Sequence, residues 1–526
     1  MDTTQPSESQ DSAPPGDSRT PTPLPRRAAG LLLHPTSFPN RFPVGDLGPG
    51  ALTCLDWMRD AGLTVWQILP LGPPAIANAP YTALSAFAGN PLLISPERLV
   101  DLGLLDPGNL DGAPESIAGR VAYDSAIPWK EDLLRRAWEH FRSRADDTLR
   151  HELDTFSTAQ AHWLEDWALF ATLRQVHPEP CWWLWPEELR RRDPGALAQA
   201  RNDHADTVAY HRFVQWIFFR QWGALRAAAA ERGLEILGDL PIYVGLDSAE
   251  VWAQRHFFEL DDDGRPLAVA GVPPDYFSPT GQLWGNPLYR WDVMAEHGFE
   301  WWIDRLRANL ELVDRIRLDH FRGFAGYWRV PAGEDTAVNG AWVDGPGAPF
   351  FDALRAAFGD LPIIAEDLGE ITDDVHALRQ AFELPCMRVL HFGFGDDAGE
   401  HAPHGLAHDT AFYTGTHDNE TTLGWYRNLD DDTRYRMHLY AGLGDSPAEY
   451  DAVWAMIRLV LTSVAQLAVV PLQDVLCLGN DARMNTPGVA EGNWDWRVDP
   501  GQITAEHAHR LRELVRISRR LRQDPE

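Results

Sequence analysis

Short apolar runs alternate along this chain with segments that have the periodicity of amphipathic helices, such as residues 203–232 and 346–358. The apolar runs that follow a first one near Ala28 are LTVWQILPL (63–71), LEILGDLPIYV (234–244), RIRLDHF (315–321), LPIIAEDLG (361–369), MRVLHFGFG (387–395), TAFYTGTHD (410–418) and LAVVPLQDV (467–475). Strands that alternate with helices indicate an α/β fold with a parallel sheet. About eight such units favour a closed (β/α)8 barrel, a TIM barrel, over an open sheet.

The alternation is interrupted between about residues 95 and 201, where the pattern is mostly helical. A Trp-rich patch, CWWLWPEELRRRD (181–193), lies in this stretch. We therefore predict an inserted helical subdomain within a catalytic barrel that covers residues 28–526. Residues 1–27 are rich in Pro, Ser, Thr and Asp and almost free of large apolar side chains, so we expect a disordered N-terminal tail.

Four of the apolar runs share an acidic residue at the point where the apolar part ends. These residues are Asp239 (ILGDLP), Asp319 (RLDHF), Glu366 (IIAEDLG) and Asp418 (TGTHDN). In barrel enzymes the C-terminal ends of the strands form the active-site face, so we expect the four side chains to converge on one pocket. Each acid could instead cap a helix or a turn after its strand. The four together favour a site.

Converging carboxylates without a metal-type cluster indicate glycoside cleavage. A retaining mechanism needs an ionised carboxylate as nucleophile and a protonated carboxyl as general acid, about 5–5.5 Å apart. Arg317 lies two places before Asp319 on a predicted strand, shares its face, and is expected to lower the pKa of Asp319. Glu366 follows the apolar segment Pro-Ile-Ile-Ala and precedes Asp367, a setting that should raise the pKa of Glu366.

Composition narrows the class of ligand. The net charge of −31 disfavours nucleic acid and anionic membrane surfaces as partners, and a neutral substrate is the easiest fit. The 22 tryptophans hint at a flat ligand such as a sugar or a base, although the filling of a large core accounts for most of them. The acidic turn DDDG (261–264) lacks the spaced ligands of a calcium loop, so we expect no metal.

The chain also carries signals about its compartment. No run of 18 apolar residues predicts a membrane span, and the N-terminus lacks the layout of a signal peptide. The 4 cysteines are far apart, without a CxxC pair. This spacing fits reduced thiols, and we expect a cytoplasmic protein.

Several long motifs resemble those of one enzyme family. The chain resembles the 4-α-glucanotransferases known as amylomaltases or disproportionating enzymes, glycoside hydrolase family 77 of the α-amylase clan, from about Leu31 to its C-terminus. The motifs that carry the resemblance are GDLPIYV, RLDHFRGF, PIIAEDLG, YTGTHDNETTLGWY and MNTPGVAEGNWDWR.

The resemblance implies roles for individual residues. Asp319 matches the catalytic nucleophile, Glu366 the general acid/base, and Asp418 a third catalytic carboxylate that steadies the distorted sugar. The residues implied in substrate binding are Arg317, His417, Asp239, Tyr81, Trp284, Asn286, Asp396, Tyr276 and Phe277. We expect His417 to be a neutral hydrogen-bonding group toward sugar hydroxyls.

The segment 269–291 resembles a flexible family loop over the active cleft, and Tyr276, Phe277 and Trp284 are its aromatic candidates. Phe277 could instead anchor the loop against the barrel, and Tyr81 could be a buried turn residue. Asp396 stands in GFGDD, where relatives often have an acid in place of Gly395.

The activity that the resemblance implies is transfer of α-1,4-glucan segments to a 4-hydroxyl of glucose or a maltooligosaccharide. The mechanism would be a retaining double displacement without cofactor or metal, and attack by the chain's own end would form a cyclic glucan. An α-amylase-like hydrolase is one alternative, because no sequence motif decides whether water or a sugar accepts the glucosyl group. A non-catalytic glucan-binding barrel is the second alternative, although such a protein is expected to have lost one of the three acids.

Overall fold

The structure is a computed structural model that describes residues 27–179, 181–274, 278–396 and 398–522. Its strands are β1 (Ala28–Leu32), β2 (Val65–Gln67), β3 (Glu235–Leu240), β4 (Ala268–Val272), β5 (Gln282–Pro287), β6 (Arg315–Leu318), β7 (Gly326–Pro331), β8 (Ala341–Asp344), β9 (Ile363–Ala365), β10 (Cys386–Val389), β11 (Thr410–Tyr413) and β12 (Leu467–Pro471). Its helices are α1 (Pro49–Asp60), α2 (Pro96–Asp101), α3 (Tyr123–Arg144), α4 (Asp147–Ala159), α5 (Ala161–Val176), α6 (Glu187–Arg190), α7 (Pro194–Asp203), α8 (Ala205–Glu231), α9 (Ala249–Ala253), α10 (Trp291–Glu296), α11 (Glu300–Leu312), α12 (Arg322–Ala325), α13 (Gly347–Phe358), α14 (Asp373–Ala381), α15 (Thr422–Asn428), α16 (Asp431–Ala441), α17 (Glu449–Thr462), α18 (Leu472–Val475) and α19 (Ala505–Ile517).

Eight parallel strands form the central sheet, in the order β10-β11-β12-β1-β2-β3-β6-β9. At the two ends of this order, the Ala365 N–H donates to the Pro385 C=O (2.9 Å) and brings β9 to β10. The sheet therefore curls into a nearly closed barrel, and the predicted (β/α)8 fold is confirmed. Each apolar run identified in the sequence overlaps one of these eight strands.

The barrel strands are apolar because helices cover them. Strands β1, β6, β9, β10, β11 and β12 are buried at every position, as expected for parallel strands with both faces covered. Helices α8 and α13 correspond to the two amphipathic segments identified in the sequence. No helix in the described part of the chain combines the length and apolar character needed to cross a bilayer.

Helices α2–α7 lie between β2 and β3, in the stretch where the sequence pattern turned helical. Trp182 and Trp185 are buried there and belong to the same core as the barrel. Of the predicted tail, residues 1–26 lie outside the described residues. The division of the chain into tail, barrel and helical insertion stays a prediction.

A second sheet, antiparallel and ordered β5-β4-β7-β8, was not predicted from the sequence. Its strands β4 and β5 lie in segment 269–291, which was expected to be a flexible loop. Gly271 pairs with Leu283 and Val272 with Gln282, so the described part of this segment is largely a two-stranded ribbon. Side chains of β5 alternate between partly buried and exposed, a pattern of period two too short to identify in isolation.

Candidate active site

Three neighbouring barrel strands, β3, β6 and β9, end beside one another and carry acidic residues predicted from the sequence. Asp239 lies in β3, in register with Arg317 of β6. Asp319 directly follows β6 and donates its N–H to the Leu240 C=O (3.0 Å). Glu366 directly follows β9. Because adjacent parallel strands end at the same edge of a barrel, these side chains share its C-terminal face.

One buried guanidinium, that of Arg317, joins two of the carboxylates. Its Nη1 atom lies 2.8 Å from Asp239 Oδ1 and 2.7 Å from Asp239 Oδ2, and its Nη2 atom lies 2.8 Å from Asp319 Oδ1. Burial opposes the charge of Arg317, but the two aspartates raise its pKa above the ordinary value. The guanidinium therefore stays cationic and holds Asp319, whose side chain is 26% exposed, in one orientation.

Glu366 is held by backbone N–H groups. Its Oε2 atom accepts from the His320 N–H (2.8 Å) and its Oε1 atom from the Leu368 N–H (3.0 Å). Residue His320 has a φ of 51°, in the left-handed region that non-glycine residues seldom adopt. This backbone conformation is a strained one, of the kind that concentrates at functional sites.

The carboxyl group of Glu366 is adapted to hold a proton near neutral pH. Burial raises its pKa to about 7, and the nearby Asp319 acts in the same direction, while Arg317 opposes the rise. Asp367 was expected from the sequence to contribute. Its Oδ1 atom instead accepts hydrogen bonds from the Met387 N–H and from Arg388, so burial is the principal cause.

A second cluster of hydrogen bonds joins the loop after β11 to the same network. The Tyr81 hydroxyl donates to Asp239 Oδ2 (2.7 Å) and lies 2.9 Å from His417 Nε2. Because the single hydroxyl proton goes to Asp239, His417 Nε2 must carry a proton and donate to Tyr81. The same Nε2 atom lies 3.3 Å from Asp418 Oδ2, and the other oxygen of Asp418 accepts from Asn485 Nδ2 (2.6 Å).

These contacts shift the pKa values of His417 and Asp418 in opposite directions. Burial works against a charge on His417, but Asp418 outweighs it and raises the pKa of His417. The shift favours the protonated form more than in a free imidazole, and the neutral imidazole expected from the sequence stays a prediction. Desolvation also opposes the charge of Asp418, yet His417 and Asn485 hold its pKa well below the usual range. Asp418 therefore stays ionised near neutral pH, and 41% of its side chain is exposed.

Tyr81 is positioned by a loop that a buried glutamate fastens to the barrel. Glu250 of α9 accepts from Ser85 Oγ (2.6 Å) and from the Ala86 N–H (2.9 Å). The ring of Tyr81 stacks on that of His417, with centroids 5.2 Å apart. Tyr81 is thus partly buried, close to the alternative of a buried turn residue, and it also contacts the candidate site residues Asp239 and His417.

Two candidate site residues of the predicted covering loop lie in the described part of the chain, and they make different contacts. The Trp284 ring meets the ring of His320, the residue that follows Asp319 in the chain, edge-on at 4.8 Å. Asn286 donates its side-chain amide to the Val244 C=O (2.9 Å), which fastens β5 to the segment after β3.

The remaining candidates lie apart from these contacts or cannot be placed. Tyr276 and Phe277 lie outside the described residues. Asp396 follows the C-terminal end of β10, where its carboxylate pairs with Arg436 (2.6 Å) and is 87% exposed. The structure therefore places Asp396 at the surface side of the barrel end.

Sequence reasoning missed two residues that contact the candidate site. Asn485 donates to Asp418, and the backbone N–H of His320 holds Glu366. Trp494 is also close to the site, because it is buried with its ring 5.7 Å from that of Tyr81. Asn485 lies in the motif MNTPG, but nothing in its spacing indicated which carboxylate it would reach.

Clustered acidic side chains can also hold a metal ion. Among the described residues, no group of three or more His, Cys, Asp or Glu side chains is arranged to do so. The acids are instead paired with Arg317, with His417 or with backbone N–H groups. A carboxyl that holds its proton, together with carboxylates that are paired with cations, is the combination that glycoside cleavage uses.

Known proteins similar to this chain agree with the geometry. The glycoside hydrolase family 77 model, described as 4-alpha-glucanotransferase, matches residues 33–504. The 4-alpha-glucanotransferase of Thermus thermophilus is 49% identical over 504 residues, which covers 94% of this chain and 99% of the relative. The chloroplastic/amyloplastic 4-alpha-glucanotransferase of Solanum tuberosum is 43% identical over 508 residues, covering 94% of this chain and 87% of the relative.

A solved structure gives the same result for the whole fold. The amylomaltase of Streptococcus agalactiae, solved in complex with acarbose, superposes with a TM-score of 0.91 at 34% sequence identity. The match covers 94% of this chain and 100% of that one. With the family model matched over most of its length and relatives this similar, the chain belongs to the 4-alpha-glucanotransferases of glycoside hydrolase family 77.

Proposed function

We propose that this 4-alpha-glucanotransferase uses Asp319 as nucleophile and Glu366 as general acid/base in a retaining double displacement on α-1,4-glucans. The observation that carries the proposal is the pairing of a carboxylate fixed by Arg317 with a carboxyl whose pKa burial raises to about 7. The nucleophile must be ionised and the general acid must hold a proton, and the surroundings of Asp319 and Glu366 favour these two states.

In the first displacement, an oxygen of Asp319 attacks C1 of a glucose unit and the bond from C1 to the leaving oxygen breaks. Since Arg317 holds Oδ1, attack falls to Oδ2. Glu366 gives its proton to the leaving oxygen, so the shortened glucan departs as an alcohol with its own 4-hydroxyl. The enzyme is left with a glucosyl ester on Asp319 and a carboxylate at Glu366.

In the second displacement, Glu366 removes the proton from the 4-hydroxyl of an acceptor while that oxygen attacks C1 and releases Asp319. Two inversions retain the α configuration. Glucose or a maltooligosaccharide serves as acceptor, and attack by the far end of the same glucan forms a cyclic product. Neither step requires a cofactor or a metal.

The other groups of the site fit the binding of sugar hydroxyls. Asp418 is a firm anion that can accept hydrogen bonds from two hydroxyls and stabilise positive charge at the ring. Tyr81 and His417 use their protons within the site, so they hold Asp239 and Asp418 in place. The Trp284 ring contacts His320, the residue after Asp319, where it could pack against a sugar ring. Asn286 supports the ribbon that carries Trp284, whereas Asp396 would contact only a longer glucan that extends past the end of β10.

Hydrolysis is the competing outcome, because water can also accept the glucosyl group from Asp319. The two outcomes are separated by incubation with maltotriose alone and chromatography of the products over time. Transfer gives glucose together with maltotetraose and longer chains while the total of reducing ends stays constant. A steady rise of reducing ends toward glucose and maltose would identify a hydrolase, and binding without turnover would identify a glucan-binding barrel.

We also place the reaction in the cytoplasm, as the cysteine spacing suggested. The four cysteines are free thiols, an arrangement suited to a reducing compartment.

A further inference from the structure

The barrel closes between β9 and β10 with little backbone pairing. Neighbouring strands such as β3 and β6 share a regular parallel ladder, whereas β9 and β10 stand at the two ends of the sheet order. Ala365 N–H donates to the Pro385 C=O across this seam (2.9 Å). Glu366 follows immediately, so the proposed general acid stands where the described barrel strands share the least backbone pairing.

Asp367 supplies a second fastening at this junction. It is buried, and its Oδ1 atom accepts from the Met387 N–H (2.9 Å) and from Arg388 Nη1 (2.8 Å). Both partners belong to β10. The carboxylate thus takes the place of a backbone carbonyl in the missing ladder, one residue after Glu366.

The charges around Asp367 form a cluster behind the general acid. Arg379 of α14 places its Nε atom 3.5 Å from Asp367 Oδ2. The outer sides of the two arginines pair with exposed acids, Arg388 with Glu400 and Arg379 with Asp409. In the described part of the chain, Asp367 Oδ2 and Arg379 Nε make no hydrogen bond. A buried cluster with unsatisfied atoms is poor evidence for a purely stabilising role.

We propose that Asp367 is a positioning residue for Glu366. It fastens the end of β9 to β10, and its negative charge balances the two arginines so that Glu366 keeps both its place and its proton. This proposal rests on the assignment of Glu366 as general acid. The charged groups at β6 that act on the pKa of Glu366 are Arg317 and Asp319, and they are unchanged in the variants below.

The first test is Asp367→Asn, which keeps an oxygen for the Met387 N–H but removes the charge. The unbalanced arginines then lower the pKa of Glu366. A unit charge roughly 10 Å away at an effective dielectric constant of about 20 predicts a shift of about one pH unit. We expect the alkaline limb of kcat/KM for maltotriose disproportionation to move down by about that amount. Looser placement of Glu366 should lower kcat by about tenfold and leave KM within about threefold.

A second variant predicts a shift of opposite sign. Arg379→Gln removes a cation from the cluster, which raises the pKa of Glu366 and moves the alkaline limb to higher pH. The matched control is Asp409→Asn, the same chemical change at the exposed partner of Arg379. We expect the pH profile of the control to stay within about 0.2 units of the parent, since its charge is screened by solvent.

Opposite shifts in Asp367→Asn and Arg379→Gln would support the proposal, because a loss of stability alone moves both profiles the same way or not at all. Should Asp367→Asn fail to fold, Arg379→Gln carries the test alone. A folded variant at Asp367 with the parent pH profile and kcat would overturn the proposal. Glu366→Gln serves as a reference: if it stays active, the catalytic assignment itself is wrong, and the failure is then distinguishable from a failure at Asp367.

Discussion

The raised pKa of Glu366 predicts that this side chain destabilises the enzyme at alkaline pH. Burial raises the pKa from an ordinary 4.5 to about 7. Between those two values the folded protein binds a proton that the unfolded chain has lost, so stability falls as pH rises through this window and is level above it. The rise corresponds to about 3 kcal/mol between pH 4.5 and pH 8.

The variant Glu366→Gln removes this dependence because glutamine has no proton to lose. Its unfolding temperature should exceed that of the parent by more at pH 8 than at pH 4.5. For 526 residues, an unfolding entropy of about 2.1 cal/mol/K per residue makes the difference between the two pH values about 3 °C. Differential scanning calorimetry of both proteins at both pH values measures it.

The control is Glu296→Gln at an exposed position of α10, for which the difference between parent and variant should not change with pH. Parent and Glu366→Gln curves that run parallel from pH 4.5 to pH 8 would refute the reasoning. Such a result would mean that the Glu366 carboxyl is ionised in the folded enzyme at neutral pH, and its role as general acid would fail with it.

Three further substitutions test the rest of the site by initial rates of maltotriose disproportionation. Arg317→Lys cannot hold both Asp239 and Asp319, so two like charges are left close together, and we expect kcat/KM to fall by about 10²- to 10³-fold. Arg307→Lys, on the exposed face of α11, is the control, and a fall of less than threefold for Arg317→Lys would contradict the bridging role. Tyr81→Phe loses the hydroxyl between two site residues and should lower kcat/KM by about tenfold with little loss of stability, and an unchanged rate would assign Tyr81 to packing. Asn485→Ala frees one oxygen of Asp418 and should lower kcat/KM by about tenfold, because the carboxylate is then held by His417 alone; an unchanged rate would argue against the contact.

The parts of the fold that could be predicted from sequence are those with a long repeating signal. Buried parallel strands are continuous apolar runs, and an acid that ends such a run, as Asp319 does, stands out against it. The second sheet has no such signal, because half-exposed strands like β5 alternate over only a few residues and include Gly285 and Asn286. The runs therefore predicted the barrel and the strand-end acids, whereas the ribbon of β4 and β5 was predicted as a loop.

Contacts made across long sequence separations were beyond prediction for a different reason. The partner of Asp418, Asn485, comes from a turn 67 residues away, and its direction depends on how that turn packs. Likewise, Asp367 next to Glu366 suggested an interaction between the two acids, but consecutive residues at a strand end project to opposite sides. The orientation that separates their roles became clear only once β10 was in place beside β9.

The central claim is that Asp319 becomes covalently bound to the glucan, and a trapped intermediate tests it most directly. Glu366→Gln cannot activate an acceptor, whereas α-maltotriosyl fluoride needs no acid for its leaving group, so the ester should accumulate when the two are mixed. Digestion and tandem mass spectrometry should then locate one maltotriosyl group on Asp319, and Asp319→Asn in the same background should carry none. An adduct on another residue, or fluoride release with no adduct and an inverted product, would contradict the account.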